Sequence, residues 1–239
     1  MSRSAILPTT MALSAAVLLS GAVAGQDTTD GYCLHYSGPS GTPPETLEVA
    51  AATLDRRLTA MEIDGAVAVD TEAGTIDVRL SGGSSDPVAI ADLATALGAV
   101  GESRFVPVPP GCVVDFTTDQ TTPACVMEAT PLFDRSGVTS AEVGEDGLTG
   151  EPIVRLQLDE EAARLFDAHA AQHLGEYFAL VMDDEVVMSP AINAKRYDGR
   201  LLVTGAFTPM EARALAAILP ADPLPAELTF EVAGECETP

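Results

Sequence analysis

From Tyr32 onward the apolar positions change period several times, and each change marks an element. Tyr32 to Tyr36 alternates as a short strand, and a loop of Gly, Pro and Ser follows from Ser37 to Pro44. Leu47, Ala51, Leu54, Leu58 and Met61 then recur at alternating spacings of four and three, which places them on one face of a helix. Ala66 to Val69 and Ile76 to Leu80 flank a glycine-containing turn, the pattern of a hairpin. Asp86 and Pro87 open a second helix as N-cap and first helical residue, with Ile90, Leu93, Ala94 and Leu97 as its buried stripe. Phe105 to Val108 closes the unit as a last strand, giving the order β-α-β-β-α-β.

The stretch from Pro109 to Gly150 is rich in Thr, Asp, Gly and Pro, with brief strand-like runs such as Val113 to Phe116, and reads as a connector. After it the order begins again. Ile153 to Leu158 alternates as a strand, and Asp159 caps a helix whose inner face is Ala163, Phe166, Ala170 and Leu174. Tyr177 to Met182 and Val186 to Met188 are strands around the acidic turn Asp183-Asp184-Glu185, and Leu201 to Thr204 is another. Thr208-Pro209-Met210-Glu211 is a capping box ahead of Ala212, Leu215, Ala216 and Leu219, and Leu228 to Val232 ends the chain as a strand. The expected fold class is α+β, with two ferredoxin-like βαββαβ units, each a sheet with helices on one face.

Composition narrows the setting. The 239 residues hold 12 Lys and Arg against 36 Asp and Glu, a formal net charge of -24. Such a surface repels phosphate backbones and anionic headgroups, which argues against nucleic acid and peripheral membrane as partners. At the N-terminus Arg3 precedes an apolar run from Ala5 to Leu19, and Ala22-Val23-Ala24 supplies the small residues of a cleavage site. This reads as a secretory signal peptide over 1–24, cut after Ala24 or, as a second choice, Gly25; the rival reading is an uncleaved membrane tether. The expected divisions are 1–24 signal peptide, 25–108 first unit, 109–150 connector and 151–239 second unit. The protein is thus expected to be exported, periplasmic or extracellular, with no integral membrane region after cleavage.

Export makes the cysteines an even set in an oxidising compartment. Four cysteines permit three connectivities; the favoured one joins Cys112 with Cys125 and Cys33 with Cys236, tying the two ends of the mature chain together. No C-x-x-C pair supports zinc.

Candidate chemistry is sparse. His169 and His173, four apart on one helix, have metal-binding spacing, but the helix lacks the glutamate that follows the first histidine in a zincin. They are expected to be ordinary histidines at the rim of the buried face, leaving a metal-dependent hydrolase as a distant alternative. Asp183-Asp184-Glu185 lacks the alternating ligands of a calcium loop and is expected to be a solvated turn. No nucleophile elbow or phosphate-binding loop occurs, so neither catalytic residues nor cofactors are expected. Met127, Met182, Met188 and Met210 could line an adaptable groove but are expected to fill the core.

The run GEYFALVMDDEVVMSPAI, the glycine at 199, VTGAFTPMEARALAAIL and LPADPLPAEL resemble the first extracytoplasmic domain, P1, of the SecD family of preprotein translocase subunits. Asp183, Pro190, Gly199, Gly205, Phe207, Glu211 and Pro225 match the family's pattern in order. Asp184, Met188, Ser189, Asp222 and Pro223 depart from it. The first unit, with Arg56 or Arg57 in its helix, Gly65 before the hairpin and Phe105 to Val108, resembles the family's base region more loosely. The resemblance implies a head-like second unit, a base-like first unit and a non-enzymatic role in protein export or extracytoplasmic folding. The implied partners are exported or unfolded polypeptide or translocase components. A secreted structural or assembly module with no translocase role is the alternative. The translocase's membrane helices are not expected in a chain of this length.

Overall fold

The structure is a computed structural model that describes residues 32–81, 87–114 and 122–235. The apolar periods become elements close to where they were expected. In chain order these are β1 (Tyr32–Ser37), α1 (Pro44–Ala60), β2 (Gly65–Asp70), β3 (Thr75–Leu80), α2 (Pro87–Gly98) and β4 (Ser103–Pro107). Then come α3 (Ala124–Met127), β5 (Phe133–Asp134), β6 (Val138–Glu145), β7 (Pro152–Leu158), α4 (Glu160–Ala170), β8 (Phe178–Met182) and β9 (Glu185–Met188). The last are β10 (Arg200–Val203), α5 (Pro209–Ile218) and β11 (Thr229–Glu235). Asp86, the expected cap of α2, lies outside the described residues.

Three antiparallel sheets result, of order β11-β1-β3-β2, β10-β7-β6 and β5-β4-β8-β9. The α+β class holds, but the two units are not self-contained. β4, expected to close the first, pairs with β8, Phe105 opposite Leu180 and Val106 opposite Ala179. β11, expected to close the second, crosses back to β1 with Phe230 opposite Tyr36. Burial explains the exchange. A strand in a sheet with helices on one face needs one apolar side, whereas β4 buries both: Phe105 joins one core, Val106 and Val108 another with Val126, Ala179 and Val181. Only a partner buried on both faces, such as β8, gives it that cover.

α5 joins the layers. Ala214, Ala217 and Ile218 face the core under β1 and β3, with Leu34, Tyr36, Leu54 and Val78, while Ala212, Leu215 and Leu219 face the core of Val154, Leu156, Phe166 and Leu201. The small side chains of this Ala-rich helix let α1 and α2 approach on one side and β6 and β7 on the other.

The stretch 109–150, read as a disulfide-clipped connector with some strand content, holds more regular structure than the brief runs suggested: α3, β5 and the eight-residue β6, which is hydrogen-bonded along β7. Val113 and Val114 lie outside any strand, and Asp115 and Phe116 lie outside the described residues. Leu174, expected on the inner face of α4, lies beyond the helix end and is exposed; the chain turns at Gly175, whose φ is +84°.

Candidate functional site

The motif residues that carry the resemblance gather around the joints between elements. Asp183 and Asp184 form the β8–β9 turn with positive φ (48° and 66°), a region that aspartate tolerates better than most residues. Both Asp183 carboxylate oxygens accept from the Gly101 amide at 2.9 Å, and one also accepts from the Glu102 amide at 2.9 Å. The Asp183 amide donates back to the Glu102 carbonyl at 2.9 Å. The turn is exposed but not simply solvated: it clasps the start of β4.

All but one of the remaining motif residues have a mechanical task. The Pro190 carbonyl accepts from Phe178 at the start of β8. Gly199 has a φ of +72°, and a Cβ there would sit 3.0 Å from the Gln157 amide nitrogen and 3.3 Å from Ala163. A Cβ on Gly205 would meet the Phe207 ring at 2.8 Å, and Phe207 packs on the second core. Thr208 accepts from the Glu211 amide while Glu211 accepts from the Thr208 amide, a complete capping box for α5. Pro225 is exposed; the Leu224 before it is buried and donates to the Val100 carbonyl at 2.8 Å.

Arg57 is the most consequential residue that the sequence pattern only brushed against. It sits on the buried face of α1, 1% exposed. Nη1 donates to the Leu97 carbonyl at 2.6 Å and to the Ala99 carbonyl, and Nη2 to Val100 at 3.0 Å. The guanidinium thus closes the C-terminal end of α2, where unpaired carbonyls and the helix dipole favour a cation. Burial pushes its pKa down to about 10, opposed by the nearby Asp183 carboxylate. Gly101 has a φ of +88°, and a Cβ there would come within 2.7 Å of Ile218 and 2.9 Å of Arg57. One buried cation, one glycine and one carboxylate therefore lock α1, α2, α5 and the β8–β9 turn together. The pair Arg56-Arg57 was the available signal, since Arg57 falls three residues after Leu54, on the apolar face of the first helix.

The other candidates remain apart. His169 and His173 stack with ring centroids 4.0 Å apart, and His173 Nδ1 lies 3.0 Å from a Glu176 oxygen. Burial, then His173, lowers the pKa of His169, and Glu176 opposes them. Among the described residues no group of three His, Cys, Asp or Glu is placed to hold a metal ion. Met127 packs against the third core, Met188 lies in the second, Met210 packs against the first and Met182 packs against both the first and the second, so the four methionines fill the cores. A shallow cleft of about 660 Å³ between α4 and residues 195–198 carries Arg164, Lys195 and Arg196 over an alanine floor. Arg164 is held by Glu161 at 2.6 Å and Arg196 by Asp198 at 2.7 Å.

Cys112 and Cys125 form a disulfide, with Cα atoms 6.0 Å apart, that fastens α3 to the chain leaving β4. Cys33 is not a free thiol, and Cys236 lies outside the described residues, as does Ala24. No helix among the described residues is long and apolar enough to cross a membrane.

Comparison with known proteins agrees with this architecture. Residues 113–226 match the SecDF P1 head subdomain family. The protein translocase subunit SecD of Aquifex aeolicus is 40% identical over 105 residues, covering 44% of this chain and 21% of that protein. SecD of Rhodobacter capsulatus is 35% identical over 105 residues, 44% of this chain and 19% of the relative. The chain thus spans about a fifth of the length of these curated relatives. A solved SecDF structure, described as a membrane component that enhances protein export, matches 84% of this chain and 99% of its own at a TM-score of 0.63 and 22% identity. SecDF in a super-membrane-facing form matches the same share at 0.65, over 29% of its own chain. Residues 113–226 thus match the SecDF P1 head subdomain in sequence, and the fold over 84% of the chain is like that of the solved SecDF structures.

Proposed function

Taking residues 113–226 as a SecDF P1 head subdomain, we propose that the protein is an exported, non-enzymatic module that contacts polypeptide in connection with protein export. The sequence match over the head carries this reading. The motif supports it in a specific way: its polar groups are engaged in holding β4, β8 and α5 in register, which suits a rigid contact module rather than a reaction centre. The partners are exported or unfolded chains, or translocase components. The module acts outside the cytoplasm, with Ala24 as the cleavage site and a second bridge between Cys33 and Cys236.

Leu148 offers a probe position. It is 99% exposed in the turn between β6 and β7, where Asp146 accepts from the Leu148 and Thr149 amides and holds the turn. A photocrosslinking amino acid at 148 is expected to capture a secretory substrate during its export. Capture no greater than that by an unrelated acidic exported protein carrying the same probe would refute the reading. Deletion of the gene is expected to slow the export of several proteins.

A further inference from the structure

We propose that the free edge of β2 receives an extended polypeptide segment as an added strand, apolar along its middle and flanked by basic residues. The proposal deepens the export reading by naming a surface and the chemistry it selects, and it rests on that reading.

An open sheet edge is a template for a further strand, and proteins normally blunt it with charge, proline, bulges, cover or shortness. Among the described strands, five of the six sheet edges are blunted. β6 carries Glu142 and Glu145 and a register shift near Val138; β11 carries Glu231, and its pairing with β1 has a register shift. β5 has two residues and β10 four, beginning with Arg200. β9 has four, its pairing is shifted, and its Val186 amide donates to Thr122 at 3.0 Å. β2 is different. Its six residues, GAVAVD, contain no proline and no charge before Asp70, and pair with β3 in unbroken register. Among the described residues no strand lies on its other side.

The ladder shows which groups face away from β3. The Ser81 amide donates to the Asp64 carbonyl, and these two residues continue the register in which Gly65 faces Leu80. Because bonded and non-bonded pairs alternate in an antiparallel ladder, the amides and carbonyls of Gly65, Val67 and Val69 point away from β3. Three residues therefore present donor and acceptor together along an exposed strand.

Charge selects the occupant. Glu62 and Asp64 stand exposed before the strand, Asp70 and Glu72 at its far end, and Arg79, opposite Ala66, is the nearby cation on β3. A second copy pairing antiparallel about Val67 would set Asp64 against Asp70 at both ends, and directly opposed like charges destabilise a sheet. A segment with Lys or Arg at each end meets carboxylates instead, while its middle lies beside Ala and Val. Strand addition of this kind takes affinity from main-chain hydrogen bonds and selectivity from side chains.

The test uses the exported chain and a fluorescent peptide of alternating valine and threonine with two lysines at each end, read by anisotropy. Binding is expected, weakened at least tenfold when the lysines become glutamates, when the peptide's central nitrogens are methylated, and in Val67→Pro. Proline at 67 removes an outward amide and no bond to β3; the methylated peptide makes the same test on the unaltered protein. Equal binding of the methylated peptide, or by a folded Val67→Pro variant, would place the contact elsewhere and overturn the β2 assignment while leaving polypeptide contact intact. Absence of binding overturns the β2 assignment, and crosslinking from position 148 still decides the export reading on its own. A dimer in sedimentation that Val67→Pro dissolves would overturn it in favour of self-pairing.

Discussion

Replacing Arg57 with alanine tests the lock between the layers. The side chain is almost wholly buried and gives hydrogen bonds to three carbonyls. Val100 keeps a second donor, the Leu224 amide, so truncation removes the arginine donor chiefly from Leu97 and Ala99. An acceptor left unpaired in the interior costs about 1–3 kcal/mol, so two cost roughly 2–6. Against this stands relief from burying a charge. A pKa lowered from 12.5 to about 10 corresponds to a charge penalty on the order of 3 kcal/mol, already included in the native protein's stability. Alanine recovers part of that penalty but leaves a cavity, which adds to the loss. The net expectation is destabilisation of about 3 kcal/mol, with Arg57→Lys losing less because it keeps the charge but not the planar fork. Urea unfolding read by circular dichroism measures it as a lowered midpoint at unchanged slope. A loss below about 1 kcal/mol, or a lysine variant as unstable as the alanine one, would show that the three carbonyl contacts do not hold the joint.

Two further outcomes follow from the same geometry. Thr208→Ala removes one half of the α5 capping box and is expected to cost about 1 kcal/mol in urea unfolding; because α5 walls both cores, near- and far-ultraviolet signals should shift together. Tyr36 is buried, donates to the Ala94 carbonyl at 2.8 Å, and has its pKa raised by burial, with Arg57 partly opposing. Its folded pKa lies above the unfolded value of about 10, so its contribution is complete below that pH and is lost as pH rises beyond it. Unfolding midpoints measured from about pH 8 to 11 should therefore fall more steeply in the wild type than in Tyr36→Phe, and parallel curves would refute the assignment.

How much was legible depended on the range of the interaction. Leu47, Leu54 and Leu58 marked the inner face of α1 because helical period is local, and Thr208 with Glu211 marked the start of α5 because a capping box spans one turn. The Cys112–Cys125 bridge followed from export and from a short loop. The motif residues were legible as a pattern but not as a mechanism. Nothing near Asp183 in sequence says that its carboxylate will find the amides of Gly101 and Glu102, and a turn with three consecutive acids looks simply solvated. Leu174 misled because it continues the helical count past the point where Gly175 turns the chain.

The sequence by itself determined the elements outside 109–150, the α+β class and the likeness to the SecD P1 domain, since periodicity and caps are written within a few residues of one another and the motif lies in order along the chain. Only the tertiary structure decided which strand completes which sheet. β4 went to β8 because Phe105 and Val106 both need cover, and β11 returned to β1 because that place was then open. The exchange changed the strand beside β1 and left β2, which carries no charge before Asp70, as a long unblunted edge among the described strands. Edge status depends on what fails to arrive beside a strand, and that is settled when the whole chain packs.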